Sequence, residues 1–161
     1  MIEATALVYS DDDVNTDVIW PGKYTYLQIP RAEMTKYAMQ TFDVGFAQKI
    51  ASRGILVVGK NFGCGSSREQ ASQCLMASGV QAIVARSFAR IFYRNSINLG
   101  LPVIECPAAV DAIEQDQVVS IDLELGQLQV AGATFDFPPY PAFVLELIRD
   151  GGLIAHIAKN S

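Results

Sequence analysis

The sequence predicts one α/β domain over residues 1–161, a parallel sheet core covered by helices with an antiparallel hairpin layer appended towards the C-terminus. Three observations carry this expectation. Short runs at 55–58, 80–85 and 101–105 alternate with segments of helical period. The run at 55–58 is apolar throughout and the other two are largely so, the mark of strands buried on both faces. From 118 to 137 the pattern changes to short alternating segments with Gly126 and Gly132 at turn positions.

Taken in order, residues 4–9 read as a strand, broken by Asp11, Asp12 and Asp13 ahead of an apolar stretch at 18–20 that Pro21 and Gly22 end. Residues 23–30 mix Tyr, Thr, Leu, Gln and Ile without helical period, an exposed loop of the kind that often carries function. Helices are expected at 32–39 and 44–52, then a buried strand at 55–58. A helix with Ala71, Cys74, Leu75 and Ser78 at three-and-four spacing follows the glycine-rich stretch 59–67 and stops at Gly79. Ser87 is placed to cap the next helix, whose apolar side is Phe88, Ile91, Phe92 and Leu99, and Gly100 ends it. A last helix is expected at 141–149.

Half of the 161 residues are hydrophobic and 18% are charged, little polar cover for a free-standing monomer, so a partner surface is expected. The net charge of −5 argues against a nucleic-acid protein, which carries a basic face to neutralise phosphates. No apolar run approaches the roughly 20 residues of a membrane helix and no leader pattern opens the chain, so a cytoplasmic protein with no membrane partner is expected. Cys64, Cys74 and Cys106 are odd in number and widely spaced, which yields neither a disulfide framework nor a C-x-x-C metal site.

The chemistry concentrates in segment 61–69. Here Gly63, Cys64, Gly65, Ser66, Ser67 and Arg68 follow a buried strand and open a helix, where unpaired N–H groups and the helix dipole attract an anion. Closely spaced glycines let a ligand approach the backbone, and Arg68 has a planar fork that matches a carboxylate. A bland alternative stands beside this: Ser67 with Gln70, or Ser66 with Glu69, forms a capping box that needs no ligand. A dinucleotide fingerprint fails at Arg68, where it needs glycine, and neither a Walker loop nor a Gly-x-Ser-x-Gly elbow is present.

The run Asn61-Phe62-Gly63-Cys64-Gly65-Ser66-Ser67-Arg68-Glu69 resembles the 3-isopropylmalate dehydratase small subunits of the aconitase superfamily. So do Asp12-Asp13-Val14-Asn15-Thr16-Asp17-Val18-Ile19 before it and Ala85-Arg86-Ser87-Phe88-Ala89-Arg90-Ile91 after it, in the family's order. The resemblance implies a swivelling β/β/α domain like the mobile fourth domain of aconitase. It further implies a large subunit carrying a [4Fe-4S] cluster, with none bound by this chain, and a small dicarboxylic acid as substrate. By the same resemblance Ser66 is the catalytic base, Ser67 and Arg68 bind substrate together with Gly65 and Cys64 of the loop, and Asp17 supports the site from behind. Tyr24, Thr25, Tyr26, Leu27 and Gln28 fall where the family sets substrate preference; the absence of arginine there implies an apolar substituent. The implied activity is isomerisation of 2- and 3-isopropylmalate in leucine synthesis. A dimethylmalate or other alkylmalate hydro-lyase, or a non-catalytic anion-binding module, remain as alternatives, and homo-oligomerisation of the isolated chain stays open. The chain departs from the family pattern at Gln70, where histidine is usual, and at Trp20.

Weaker candidates complete the reading. Asp11, Asp13, Asn15 and Asp17 have calcium-loop spacing, but Thr16 stands where glycine is required and Gly22 where glutamate is required. Arg86, Arg90 and Arg94 recur at one helical face as a basic stripe. His156 reads as a packed or surface residue.

Overall fold

The computed structural model describes residues 1–161, ordered as β1 (Ile2–Val8), α1 (Thr16–Ile19), α2 (Phe46–Ala51), β2 (Gly54–Val58), α3 (Glu69–Ala77), β3 (Ala82–Ala85), α4 (Arg90–Asn98), β4 (Val103–Glu105), α5 (Pro107–Ala112), β5 (Val118–Asp122), β6 (Gln127–Val130), β7 (Ala133–Asp136), α6 (Ala142–Asp150) and α7 (Leu153–Lys159). One seven-stranded sheet in the order β4-β3-β2-β1-β5-β6-β7 holds them together. β1 to β4 run parallel, and β5 to β7 continue the same sheet past β1 in antiparallel pairing. The appended hairpin layer is thus an edge-on extension of the sheet. The sheet curls until the Asp136 carbonyl at the end of β7 accepts from Cys106 Sγ at 3.8 Å.

Every residue of β2 and β3 is buried. Alternation along β2 sends Leu56 and Val58 into one core with Trp20, Phe46, Leu75 and Phe92, and Ile55 and Val57 into a second with Ile104, Val119, Ile121 and Leu128 on the opposite face. Right-handed crossovers place α2, α3 and α4 on the first face. The carboxyl ends of β1, β2 and β3 share one edge of the sheet, where open α/β sheets bind ligands, and the loops leaving them are the ones singled out by the sequence.

The structure corrects several expectations. Within the stretch at 18–20, Val18 and Ile19 form the second half of the short helix α1 and Trp20 is its extended C-cap, because Asn15 Oδ1 caps the helix by accepting from Val18 N at 3.0 Å. Residues 31–36 form a 3₁₀ helix behind Pro30, shorter than the helix expected at 32–39. Ser87 does not cap α4; Ala89 holds that position, and Ser87 Oγ accepts from the Asn61 amide at 2.8 Å. Ile91 faces solvent, while Phe92, Ser96 and Ile97 face the core. Two helices were not expected: α5, which Pro107 opens at a position where its missing N–H costs nothing, and α7, which follows the left-handed Gly151 and Gly152.

α3 and α4 are joined by a buried hydrogen bond between Ser72 Oγ and Ser96 Oγ, 2.9 Å long. Ser72→Ala should cost about 1–3 kcal/mol in denaturant unfolding, because Ser96 is left buried and unpaired. The Ser72→Ala/Ser96→Ala pair should cost less than the single change.

Candidate functional site

Two loops are laced together at the carboxyl edge of the sheet. Asp12 Oδ1 accepts from Lys60 N at 2.7 Å, Asp13 N donates to the Lys60 carbonyl at 2.9 Å, and Asn61 Nδ2 donates to Asp13 Oδ1 at 2.9 Å. Gly63 N donates to the Val14 carbonyl at 2.8 Å. Gly63 sits at φ +82° directly against the Phe92 ring, where a Cβ would overlap it, so the loop rests on α4 with no side chain between them.

Thr16, buried at the start of α1, then sets the direction of the backbone. Its N–H donates to the Cys64 carbonyl at 2.8 Å and its Oγ1 donates to the Ser66 carbonyl at 2.8 Å. With these carbonyls turned inward, the amides of Gly65 to Gln70 find no acceptor anywhere in the chain. They gather at the N-terminus of the nine-residue α3, where the helix dipole adds positive potential. Neither capping box forms: Arg68 occupies the N-cap position without a side-chain cap, and the hydroxyls of Ser66 and Ser67 make no hydrogen bond. Gly65 at φ +94° has no atom nearer its notional Cβ than Thr16 Oγ1 at 3.5 Å, so the backbone there is open to approach.

Arg68 pairs with Asp17 and donates to the Trp20 carbonyl at 3.5 Å; its side chain is 18% exposed and that of Asp17 59%. The pair lies over Gly22, whose notional Cβ would meet Arg68 Nη1 and Asp17 Oδ1 at 3.0 Å. Asp17 therefore orients the guanidinium, and the rest of the fork has no recorded protein partner. Two residues on, Gln70 Nε2 donates to the Thr25 carbonyl at 3.4 Å, tying α3 to the loop 24–28.

That loop divides into an anchored and a projecting part. Tyr24 packs against Trp20 and Tyr37 at ring-centroid distances of 5.8 and 4.4 Å and shares a 3.3 Å bond with Gln40. Thr25 is half-buried with an unpartnered hydroxyl. Tyr26 is 95% exposed, Leu27 58%, and Gln28 is exposed beside them. Cys64, Gly65, Ser66, Ser67 and Arg68 are thus contiguous with Asp17 and reach the loop 24–28 through Gly22 and Gln70. Thr16, Gly22 and Gln70 were not given these roles from sequence; a threonine among apolar residues and a glycine after proline were the available signals.

The remaining candidates lie elsewhere. Arg86 precedes α4 and pairs with Asp111, so the basic stripe is reduced to Arg90 and Arg94. His156 Nδ1 meets Asp150 Oδ2 at 2.7 Å; together with Lys159 it holds the Asp150 carboxyl below the usual carboxylate range. The three thiols cannot converge on a metal: Cys74 lies in the first core, Cys106 in the second on the other face, and Cys64 in the loop. Burial pushes the Cys74 thiol up, which keeps it protonated and inert. No helix is long and apolar enough to cross a membrane.

Comparison with known proteins gives a consistent result. The aconitase C-terminal domain family matches residues 18–109. The 3-isopropylmalate dehydratase small subunit of Caldanaerobacter subterraneus subsp. tengcongensis is 44% identical over 161 residues, covering 99% of each chain. Small subunit 1 of that enzyme from Methanopyrus kandleri is 42% identical over 162 residues, covering 99% of this chain and 94% of its own. A crystal structure of 3-isopropylmalate dehydratase from Methanocaldococcus jannaschii superposes with a TM-score of 0.88 at 36% identity, covering 99% of this chain and 94% of that one.

Because the two serine hydroxyls cap nothing, Ser66→Ala and Ser67→Ala should each shift unfolding stability by less than about 0.5 kcal/mol. A true cap would cost about 1 kcal/mol, so urea denaturation separates the two cases.

Proposed function

The chain belongs to the family of 3-isopropylmalate dehydratase small subunits, and from that premise we propose that it is the small half of a hydro-lyase interconverting 2- and 3-isopropylmalate in leucine synthesis. The observation that carries the assignment of chemistry to segment 64–68 is the set of acceptor-less amides around two unbonded hydroxyls, beside a guanidinium.

In this reading Ser66 Oγ removes the proton from the carbon next to a substrate carboxylate. The neighbouring C–O bond breaks as the double bond forms, and the hydroxyl leaves as hydroxide, which takes a proton from solvent to become water. Water then gives its hydroxyl to the adjacent carbon and its other proton to solvent, and Ser66 returns the abstracted proton to the carbon that first bore the hydroxyl. A hydroxyl is a poor base near neutral pH, so its anion needs fixed donors aimed at it. The amides of Gly65 to Gln70, the dipole of α3 and Arg68 are what supports that role here. Ser67 and Arg68 hold the substrate carboxylates, with Asp17 keeping the guanidinium in place.

A [4Fe-4S] cluster is expected in this superfamily, and the separated thiols of this chain do not fit one. We place it on the large partner subunit. Substrate preference is assigned to the projecting Tyr26 and Leu27, which offer apolar surface and no cation to a substituent such as isopropyl. Gln70 holds their loop against α3.

The test is turnover after mixing with the large subunit, followed by ultraviolet absorbance of the unsaturated acid. The chain alone should be inactive. Ser66→Ala should lower kcat about 10³-fold in the mixed enzyme with little change in assembly; wild-type turnover by that variant removes Ser66 from its role. Gln70→Ala should raise KM several-fold for isopropylmalate and leave kcat within about twofold, since it loosens binding and not proton transfer.

A further inference from the structure

On α4, away from the serines, Arg90 and Arg94 are one turn apart on an exposed face. Neither has a carboxylate within ion-pairing distance or any other hydrogen-bond partner. They border a trough between α4 and β4 whose wall and floor include Phe88, Tyr93, Glu105 and Tyr140. Beside Arg90 and Arg94 it holds about 460 Å³, and a recess of about 380 Å³ between α4 and the start of α6 adjoins it at Tyr93 and Arg94. Of the nearby carboxylates, Asp111 pairs with Arg86, while that of Glu105 lines the same groove and accepts from Phe88 N through Oε1 at 3.0 Å. On a chain of net charge −5, this aromatic-lined groove carries two arginines without an ion-pair partner against the single carboxylate of Glu105, a net positive charge.

The trough also runs along the free edge of the sheet. β4 is the terminal strand, and its ladder to β3 uses alternate residues, so the backbone groups of Val103 and Glu105 point outward. Tyr140 satisfies Val103 through its hydroxyl, accepting from the Val103 amide at 3.0 Å and donating to the Val103 carbonyl. Burial pushes the hydroxyls of Tyr93 and Tyr140 up, so both remain proton donors at neutral pH. The Glu105 amide and carbonyl are left facing the trough. The rim of the groove is tied to the glycine loop by the backbone bridge between Phe88 and Phe62 and by the hydrogen bond from Asn61 N to Ser87 Oγ.

We propose that this trough docks an extended, acidic segment of the large subunit. The inference rests on the small-subunit reading above. Arg90 and Arg94 meet the segment's carboxylates, Tyr93 and Phe88 pack its apolar atoms, and the Glu105 backbone offers one strand-like pair of hydrogen bonds. A partner seated there rests on Phe88, whose backbone bridge to Phe62 ties it to the segment that carries Ser66, which suits a site completed by two chains.

The test is calorimetric titration of the intact chain with its large subunit at two salt concentrations. Arg90→Glu/Arg94→Glu should raise Kd at least tenfold and flatten its salt dependence, with an unchanged circular dichroism spectrum. Arg149→Glu, on α6 and outside the trough, should leave Kd as in the wild type. Wild-type affinity in the charge-reversed pair overturns the proposal. So does sedimentation showing that the wild-type chain alone forms a dimer which the reversal dissociates, since the trough then takes a second copy. Salt-sensitive assembly without turnover of an alkylmalate sinks the functional reading and not this one; turnover by a complex indifferent to the reversal does the opposite.

Discussion

The candidate site depends on the two hydrogen bonds that buried Thr16 makes to the carbonyls of Cys64 and Ser66. A peptide unit has a donor on one side and an acceptor on the other, so fastening the acceptors inward turns the neighbouring donors outward. Unpaired amides are tolerable only where water or a ligand reaches them, and Ser66, Ser67 and Glu69 are exposed. One threonine thereby converts an ordinary strand-to-helix connection into a concave array of donors.

The rest of the structure keeps that array rigid. Gly63 lies on Phe92, α3 is bonded to α4 through two buried serines, and Phe62, Phe88 and Phe92 form a cluster of edge-on and stacked rings beneath the loop. Such packing admits few alternative positions, which suits a site whose donors must already be aimed when charge develops. Against this rigid base the loop 24–28 is anchored at one end by Tyr24 and Gln70 and projects at the other. In the function proposed above, proton chemistry falls on the packed base and substrate preference on the projecting loop, the two connected by Gly22 and the first turn of α3.

The strands buried on both faces were legible because their apolar runs have a single reading at that length, and the hairpins because Gly126 and Gly132 mark their turns. The glycine loop at a helix start was legible for the same local reason. Helix starts were read less well. Ser87 has the composition of a cap, yet its hydroxyl is taken by Asn61, a residue 26 positions earlier. Likewise the Ser66 and Ser67 capping boxes fit the spacing but lose to the extended backbone of Arg68, at φ −137° and ψ 110°, which no local pattern specifies. The Arg68–Asp17 pair and the Gln70–Thr25 bond join segments about 50 residues apart, and only the folded sheet brings them together.

Tyr140 has a bearing on the life of the chain before assembly. A terminal strand with open amides is a template for another strand, and proteins that leave it bare risk stacking into fibres. Here a phenol plugs the Val103 rung of a strand only three residues long, leaving too little ladder for a neighbour to grip. A newly made copy awaiting its larger companion is guarded along that border of the sheet by its own side chain.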